Sequence, residues 1–235
     1  MRILWSYFSS ERTVTLFSMI LHDIFQTYGF SLTASEEAKF SRFLELFIAY
    51  NTHTNLSAIR ETDAIIRKHF IDSLESLSLI ERVIEQKKRS LSFLDIGSGG
   101  GFPWIPLAIL LPEHSFTLLD SIGKKVRAMD HFIEWIPLAN VSTLLGRAEA
   151  LWYEEKFHQK YDIIVSRATS YITNLIPWCA PFLAEKWRIF LYKMPSAEEE
   201  HDMKIILKKY HLRELTRKPY EIDGQARYIY EIGRV

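Results

Sequence analysis

Apolar positions change their period along this chain. From residue 14 to residue 30 they recur at helical spacing (Val14, Phe17, Ile20, Leu21, Ile24, Phe25), and Gly29 is placed to end that helix. Thr33-Ala34-Ser35-Glu36 has the form of a capping box. Behind it Phe40, Phe43, Leu44, Phe47 and Ile48 make the stripe of an amphipathic helix. Its helical period marks the stripe as core rather than as a platform for stacking bases. Residues 50–57 read as a polar break, residues 61–80 as one further helix through Ile66, Phe70, Leu74 and Leu77, and Lys87-Lys88-Arg89 as a solvated linker.

From Leu91 onward short apolar runs alternate with helical stretches, the pattern of an α/β fold with a parallel sheet. Strands are expected at residues 91–96, 116–120, 141–145, 161–166 and 188–193, helices at 103–111, 122–136, 171–183 and 197–210, and antiparallel closing strands in the tail, residues 226–232 included. Residues 90–235 then form the sheet domain and residues 1–89 a helical extension packed on it.

Composition narrows this only a little. With 235 residues, 48% hydrophobic and 25% charged, the chain suits one large globular domain or a core with a helical appendage. The single cysteine, Cys179, sits in an apolar stretch as a small buried hydrophobe and excludes an internal disulfide. No Cys/His cluster at ligand spacing suggests a metal, and a cytoplasmic location is expected. Glu11 and Arg12 interrupt the apolar N-terminus before it resembles a signal peptide, and no stretch approaches a membrane span. A formal net charge of zero argues against a surface coated in positive charge, so any RNA must meet a local patch.

The candidate chemistry is concentrated in residues 92–106, S-F-L-D-I-G-S-G-G-G-F-P-W-I-P: an apolar strand ending near Asp95, four glycines in five positions (Gly97, Gly99, Gly100, Gly101), then Pro103 at a helix start. A glycine turn without a ligand is the plain alternative, but a tight turn needs fewer glycines. A dinucleotide fingerprint requires a third glycine where Phe102 stands, which weakens that reading. Asp120 closes the next strand, where a carboxylate would hold ribose hydroxyls. A nucleoside-type cofactor such as S-adenosylmethionine therefore fits better than NAD.

In such a sheet ligands gather beyond the carboxyl ends of the strands. Four of the five strand ends carry Lys or Arg: Lys124 and Lys125 after the second, Arg147 after the third, Arg167 after the fourth and Lys193 after the fifth. Singly each is an ordinary surface charge. Together they favour a polyanionic substrate, and an Arg can also bond guanine O6 and N7. His69 and Asp72, three apart on the helix at residues 61–80, taken alone suit an ordinary exposed face.

Asn55-Leu-Ser, His69-Phe-Ile-Asp72-Ser73-Leu74, Asp95-Ile-Gly-Ser-Gly-Gly-Gly-Phe-Pro103, Thr117-Leu-Leu-Asp120-Ser121 with Lys124-Lys125, Arg147-Ala-Glu149 and Ser166-Arg167-Ala168 occur in that order. Together they resemble the bacterial RsmG (GidB) family of 16S ribosomal RNA guanine-N7 methyltransferases. The resemblance implies a class I, Rossmann-like methyltransferase fold, with a mostly parallel seven-stranded sheet, helices on both faces and an N-terminal helical extension. It implies cofactor contacts from Gly97, Phe102, Ala148, Glu149 and Arg167 beside the Asp95, Gly99 and Asp120 of the loop reading, with Glu149 near the adenine. It also implies 16S RNA, or the small subunit or its precursor, as substrate, bound by a monomer without metal or membrane. Arg147 and Arg167 are expected to orient the guanine or a nearby phosphate, and Lys124, Lys125, His69 and Lys193 to meet the RNA. Trp104 and Met194 stand where the family usually has Gly and are expected to place bulk at the pocket mouth. Two rivals stay open: a class I methyltransferase of a small molecule, and a non-enzymatic RNA-binding assembly factor.

Overall fold

The computed structural model describes residues 11–151, 153–167 and 169–234; the N-terminal apolar stretch and Ala168 lie outside them. Four helical segments come first. Helix α1 (Glu11–Thr27) ends before Gly29, whose φ of 79° makes the left-handed turn expected there. Helix α2 (Ala34–Thr54) opens on the capping box: Glu36 N–H donates to Thr33 Oγ1 at 3.3 Å and Thr33 N–H to Glu36 Oε2 at 2.7 Å. The supposed break at residues 50–57 is helical to Thr54. Its polar residues had a structural use, since buried Asn51 donates to Ile59 O at 3.2 Å and accepts from Ser57 N–H at 2.9 Å.

The single helix expected at residues 61–80 is three pieces and a turn. Helix α3 (Thr62–Ile65) runs into a π-wound segment (Ile66–Ile71), which passes into α4 (Asp72–Leu74); α5 (Leu77–Lys87) starts afresh. The basic run after it is no linker: Lys87 ends α5, Lys88 is its left-handed cap, and Arg89 is ion-paired to buried Asp162.

The sheet has seven strands: β1 (Ser92–Ile96), β2 (Ser115–Asp120), β3 (Val141–Leu145), β4 (Tyr161–Arg167), β5 (Leu183–Lys193), β6 (Leu212–Ile222) and β7 (Gln225–Arg234), in the order β3-β2-β1-β4-β5-β7-β6. The first five are parallel and β7 is antiparallel to both neighbours. The order reverses between β1 and β4, so the crevice beyond their carboxyl ends is the topological switch point. Helices α6 (Trp104–Leu110), α7 (Gly123–Trp135), α8 (Ala148–Leu151), α9 (Ile172–Cys179) and α10 (Ala197–Lys209) complete the layers. Helix α9 stops earlier than expected, in a 3₁₀ turn (Ala180–Phe182), so that β5 begins at Leu183. Cys179 is fully buried, as expected.

Phe102 joins the helical layer to the sheet. It is 5% exposed, and its ring lies 5.2, 5.1 and 5.7 Å from those of Phe43, Phe47 and Phe70. The residue that weakened the dinucleotide reading is therefore the knob that seats the glycine turn against α2. A Cβ on Gly100 would come within 2.8 Å of Phe47, so that glycine allows the close approach.

Candidate active site at the strand ends

The structure divides the expected site residues into three groups. The first is the glycine loop and β2. Gly97 (φ 82°) and Gly99 (φ 59°) both need left-handed backbone, but for different neighbours. A Cβ on Gly97 would fall 2.3 Å from Thr169, whose hydroxyl donates to Ile96 O at 2.9 Å, so the β4–α9 loop makes a close approach there. At Gly99 the nearest atom to such a Cβ is 3.9 Å away, and that backbone stays open. Asp120 is 5% exposed and fastens the loop: Oδ2 accepts from Gly99 N–H and Oδ1 from Ile122 N–H, each at 2.9 Å. Lys125 Nζ lies 3.8 Å from Asp120, whereas Lys124 is exposed. Asp95 is fully buried with neither carboxyl oxygen hydrogen-bonded, and burial pushes its pKa well above the usual carboxylate range.

The second group overturns the reading of His69 and Asp72 as an ordinary exposed face. The π turn carries His69 and ends at Asp72, whose N–H reaches back five residues to Arg67 O. Asp72 is 0% exposed. Its oxygens accept from Arg167 Nη1 at 2.6 Å, Tyr220 Oη at 2.8 Å and Arg227 Nη1 at 3.3 Å. Arg167 also donates to Lys68 O at 3.1 Å, and its guanidinium lies 5.4 Å from the Phe102 ring centroid. His69 stacks on Phe102 at 4.7 Å, with Nδ1 3.3 Å from Arg167 Nη2 and Nε2 2.8 Å from Ser57 Oγ. Burial, and then the Arg167 charge, push the His69 pKa down to about 3, so the ring is neutral.

The third group follows β3. Arg147 has 72% of its side chain exposed and meets Glu149 at 3.5 Å; Ala148 between them is buried. Two further expectations fail. Lys193 does not face the rim: its ammonium is ion-paired to Glu199 and donates to Ser170 O at 2.8 Å. Trp104 is not at the mouth but fully buried in the core, 4.9 Å from Phe93 and 5.0 Å from Phe116 by ring centroids, whereas Met194 is 58% exposed. Sequence reading missed Tyr220 and Arg227 altogether, since nothing local in the hairpin points to a carboxylate about 150 residues away. Among the described residues no group of three or more His, Cys, Asp or Glu could hold a metal, and no helix is long and apolar enough to cross a membrane.

The sheet order, with its antiparallel β7, and the glycine loop at the switch point define the Rossmann-like methyltransferase fold. The solved ribosomal protein L11 methylase of Lactobacillus delbrueckii subsp. bulgaricus shares it, with a TM-score of 0.52 and 15% identity over 68% of this chain and 78% of that one. The model of the GidB family, rRNA small subunit methyltransferase G, matches residues 36–218. The chain is 32% identical over 203 residues to the Ribosomal RNA small subunit methyltransferase G of Streptococcus equi subsp. zooepidemicus (strain H70), 86% of this chain and 84% of that protein. It is 35% identical over 162 residues to the one of Clostridium novyi (strain NT), 69% of this chain and 65% of that protein. This chain belongs to the GidB family.

Proposed function

We propose that the chain transfers a methyl group from S-adenosylmethionine to N7 of a guanine in 16S ribosomal RNA. The observation that carries this reading is the unbroken family match over residues 36–218, which takes in the glycine loop, Asp120, Glu149 and Arg167.

The donor set fits this cofactor. Asp120 and Glu149 are carboxylates, which suit a ribose diol and the base and would repel a pyrophosphate. The unpartnered oxygens of Asp95 offer an acceptor for an ammonium group, and Gly99 leaves bare backbone beside Asp120. Asp120 would hold the ribose, with Ala148 and Glu149 at the base. S-adenosylmethionine, when bound, supplies an electrophilic methyl group on a sulfonium.

Guanine N7 carries a free lone pair, so the protein need not remove a proton. His69 matches that requirement: it is neutral, and both ring nitrogens are engaged with Arg167 and Ser57. Catalysis then rests on alignment and on charge placed in advance. Arg167, clamped by Asp72 and Lys68 O, is held in one orientation at the end of β4, where it would guide the base, and exposed Arg147 would follow the RNA. The described helices of the N-terminal part, residues 11–89, would serve as the outer wall. The assembly-factor reading loses part of its support, because Trp104 is core and not an obstruction at the mouth.

We further propose that it works in the cytoplasm as a monomer, with 16S RNA, the small subunit or its precursor as the substrate. N7-methylguanine mapped in 16S RNA from cells with and without the gene tests the reaction. One guanine losing its methyl group in the deletion is expected, and identical maps would end this reading.

A further inference from the structure

The cations of this protein are mostly matched. Arg67, Arg82, Arg89, Arg167, Arg188, Lys193, Arg217, Lys218 and Arg227 each meet a carboxylate. One corner differs. Residues 203–213, M-K-I-I-L-K-K-Y-H-L-R, contain four Lys/Arg and a His with no acidic residue. Helix α10 carries its acids, Glu198 to Glu200 and Asp202, in its first half, so from Met203 to Arg213, just before Glu214 of β6, the chain is basic. Lys204, Lys208, Lys209, His211, Arg213 and Arg234 are all exposed, and none is ion-paired to a described carboxylate. The favourable effect of cations on a helix C-terminus accounts for Lys208 and Lys209 but not for His211, Arg213 or Arg234.

Three of them, Lys208, His211 and Arg234, line an open groove of about 650 Å³ together with Tyr210 and Leu212. Tyr210 adds a half-buried ring, with Lys209 Nζ 5.9 Å from its centroid. The groove lies away from the crevice. Tyr228 pairs with Lys193 at the site end of β5, and β7 then runs to Arg234, which pairs with Leu212. Six residues of strand separate the two ends by about 20 Å.

We propose that this corner is a second RNA-binding surface, which holds the phosphodiester backbone of the substrate at the end of β7 that lies away from the crevice. It rests on the ribosomal RNA reading above. Clustered, unneutralised cations beside an aromatic ring suit a phosphate backbone, and in a chain of zero net charge such a local patch adds to the few exposed cations at the strand ends. The surface sets affinity and register and takes no part in methyl transfer.

The test replaces Lys208, Lys209 and Arg234 together with Ala and measures binding to protein-free 16S RNA across a salt series, alongside methylation kinetics. The slope of log affinity against log salt should fall by about two to three, and KM for RNA should rise about tenfold. The maximal rate and the affinity for S-adenosylmethionine should stay unchanged, which also shows that the variant is folded. An unchanged salt slope and KM would overturn the proposal. So would weakened binding to the assembled subunit with normal binding to naked RNA, since the patch would then be reading a protein. Binding is measured without turnover. Wild-type protein that bound RNA through this corner yet transferred no methyl would end the guanine reading and leave the anchor standing. Lys208→Glu alone, a single exposed change, should reproduce the direction of the effect.

Discussion

Arg147 and Arg167 stand at the carboxyl ends of strands consecutive in the sequence, β3 and β4, and position along the chain alone gives them the same task. The structure separates them. Arg167 has 13% of its side chain exposed and is gripped by a carboxylate that sees no solvent; Arg147 is 72% exposed, with one long contact to Glu149. A guanidinium held this way has one orientation and presents a preorganised charge. An exposed one retains its rotamers and spends them on whatever binds. Burial, more than residue type, decides whether an arginine here is part of the mould or part of the grip.

The strongest way to break that contrast is to remove the clamp. Asp72→Ala leaves Arg167 and Arg227 facing one another without their shared carboxylate and should cost about 3–5 kcal/mol in denaturant unfolding. Arg147→Ala, by contrast, should change stability by less than about 0.5 kcal/mol, with its effect confined to methylation. Similar stability losses in the two variants would erase the distinction.

Protonation probes the same cluster more gently. His69 is neutral in the folded protein, with its pKa pushed down to about 3, and free to ionise near 6.5 when unfolded. Its contribution is intact above the unfolded pKa and is lost as pH falls from about 6.5 toward 3, because the unfolded chain then binds the extra proton. Between pH 7 and 5 this costs about 2 kcal/mol of stability. His69→Gln should remove that portion of the pH dependence, and an unchanged profile would mean that the imidazole ionises freely.

Asp120→Ala should weaken cofactor binding by about tenfold or more, because a charged acceptor and the fastening of Gly99 are lost together, while RNA binding stays near normal. Calorimetry and RNA titration of the one variant check both halves. The smallest effect belongs to Lys124→Ala, which should flatten the salt slope of RNA binding by about one. Lys125→Ala should shift cofactor affinity as well, since Lys125 leans on Asp120 and Lys124 does not. Equal behaviour of the two lysines would remove the distinction drawn between them.

Much of the architecture is readable from local pattern. Parallel strands buried on both faces leave short apolar runs, so β1 to β4 fall within a residue of expectation, and the switch point follows from their order. The glycine loop and the carboxylate closing β2 are equally local. The polar segment at residues 50–57 misled because a buried Asn51 looks like a loop residue until Ile59 and Ser57 accept and donate to it. Trp104 misled because its place in the motif is at the mouth, although its ring turns inward between Phe93 and Phe116.

What local spacing could settle was therefore the chemistry on offer: where the strands end, which loop turns on glycine, and which basic residues follow. Which of those charges is free was decided only in three dimensions. Asp72 reaches Arg167 across 95 positions, Tyr220 across 148 and Arg227 across 155. An ion pair is set by proximity in space and by exclusion of water, and neither leaves a trace in neighbouring residues. The basic corner went unremarked in the sequence for the same reason: its cations became a surface only when α10, β6 and β7 met around one groove.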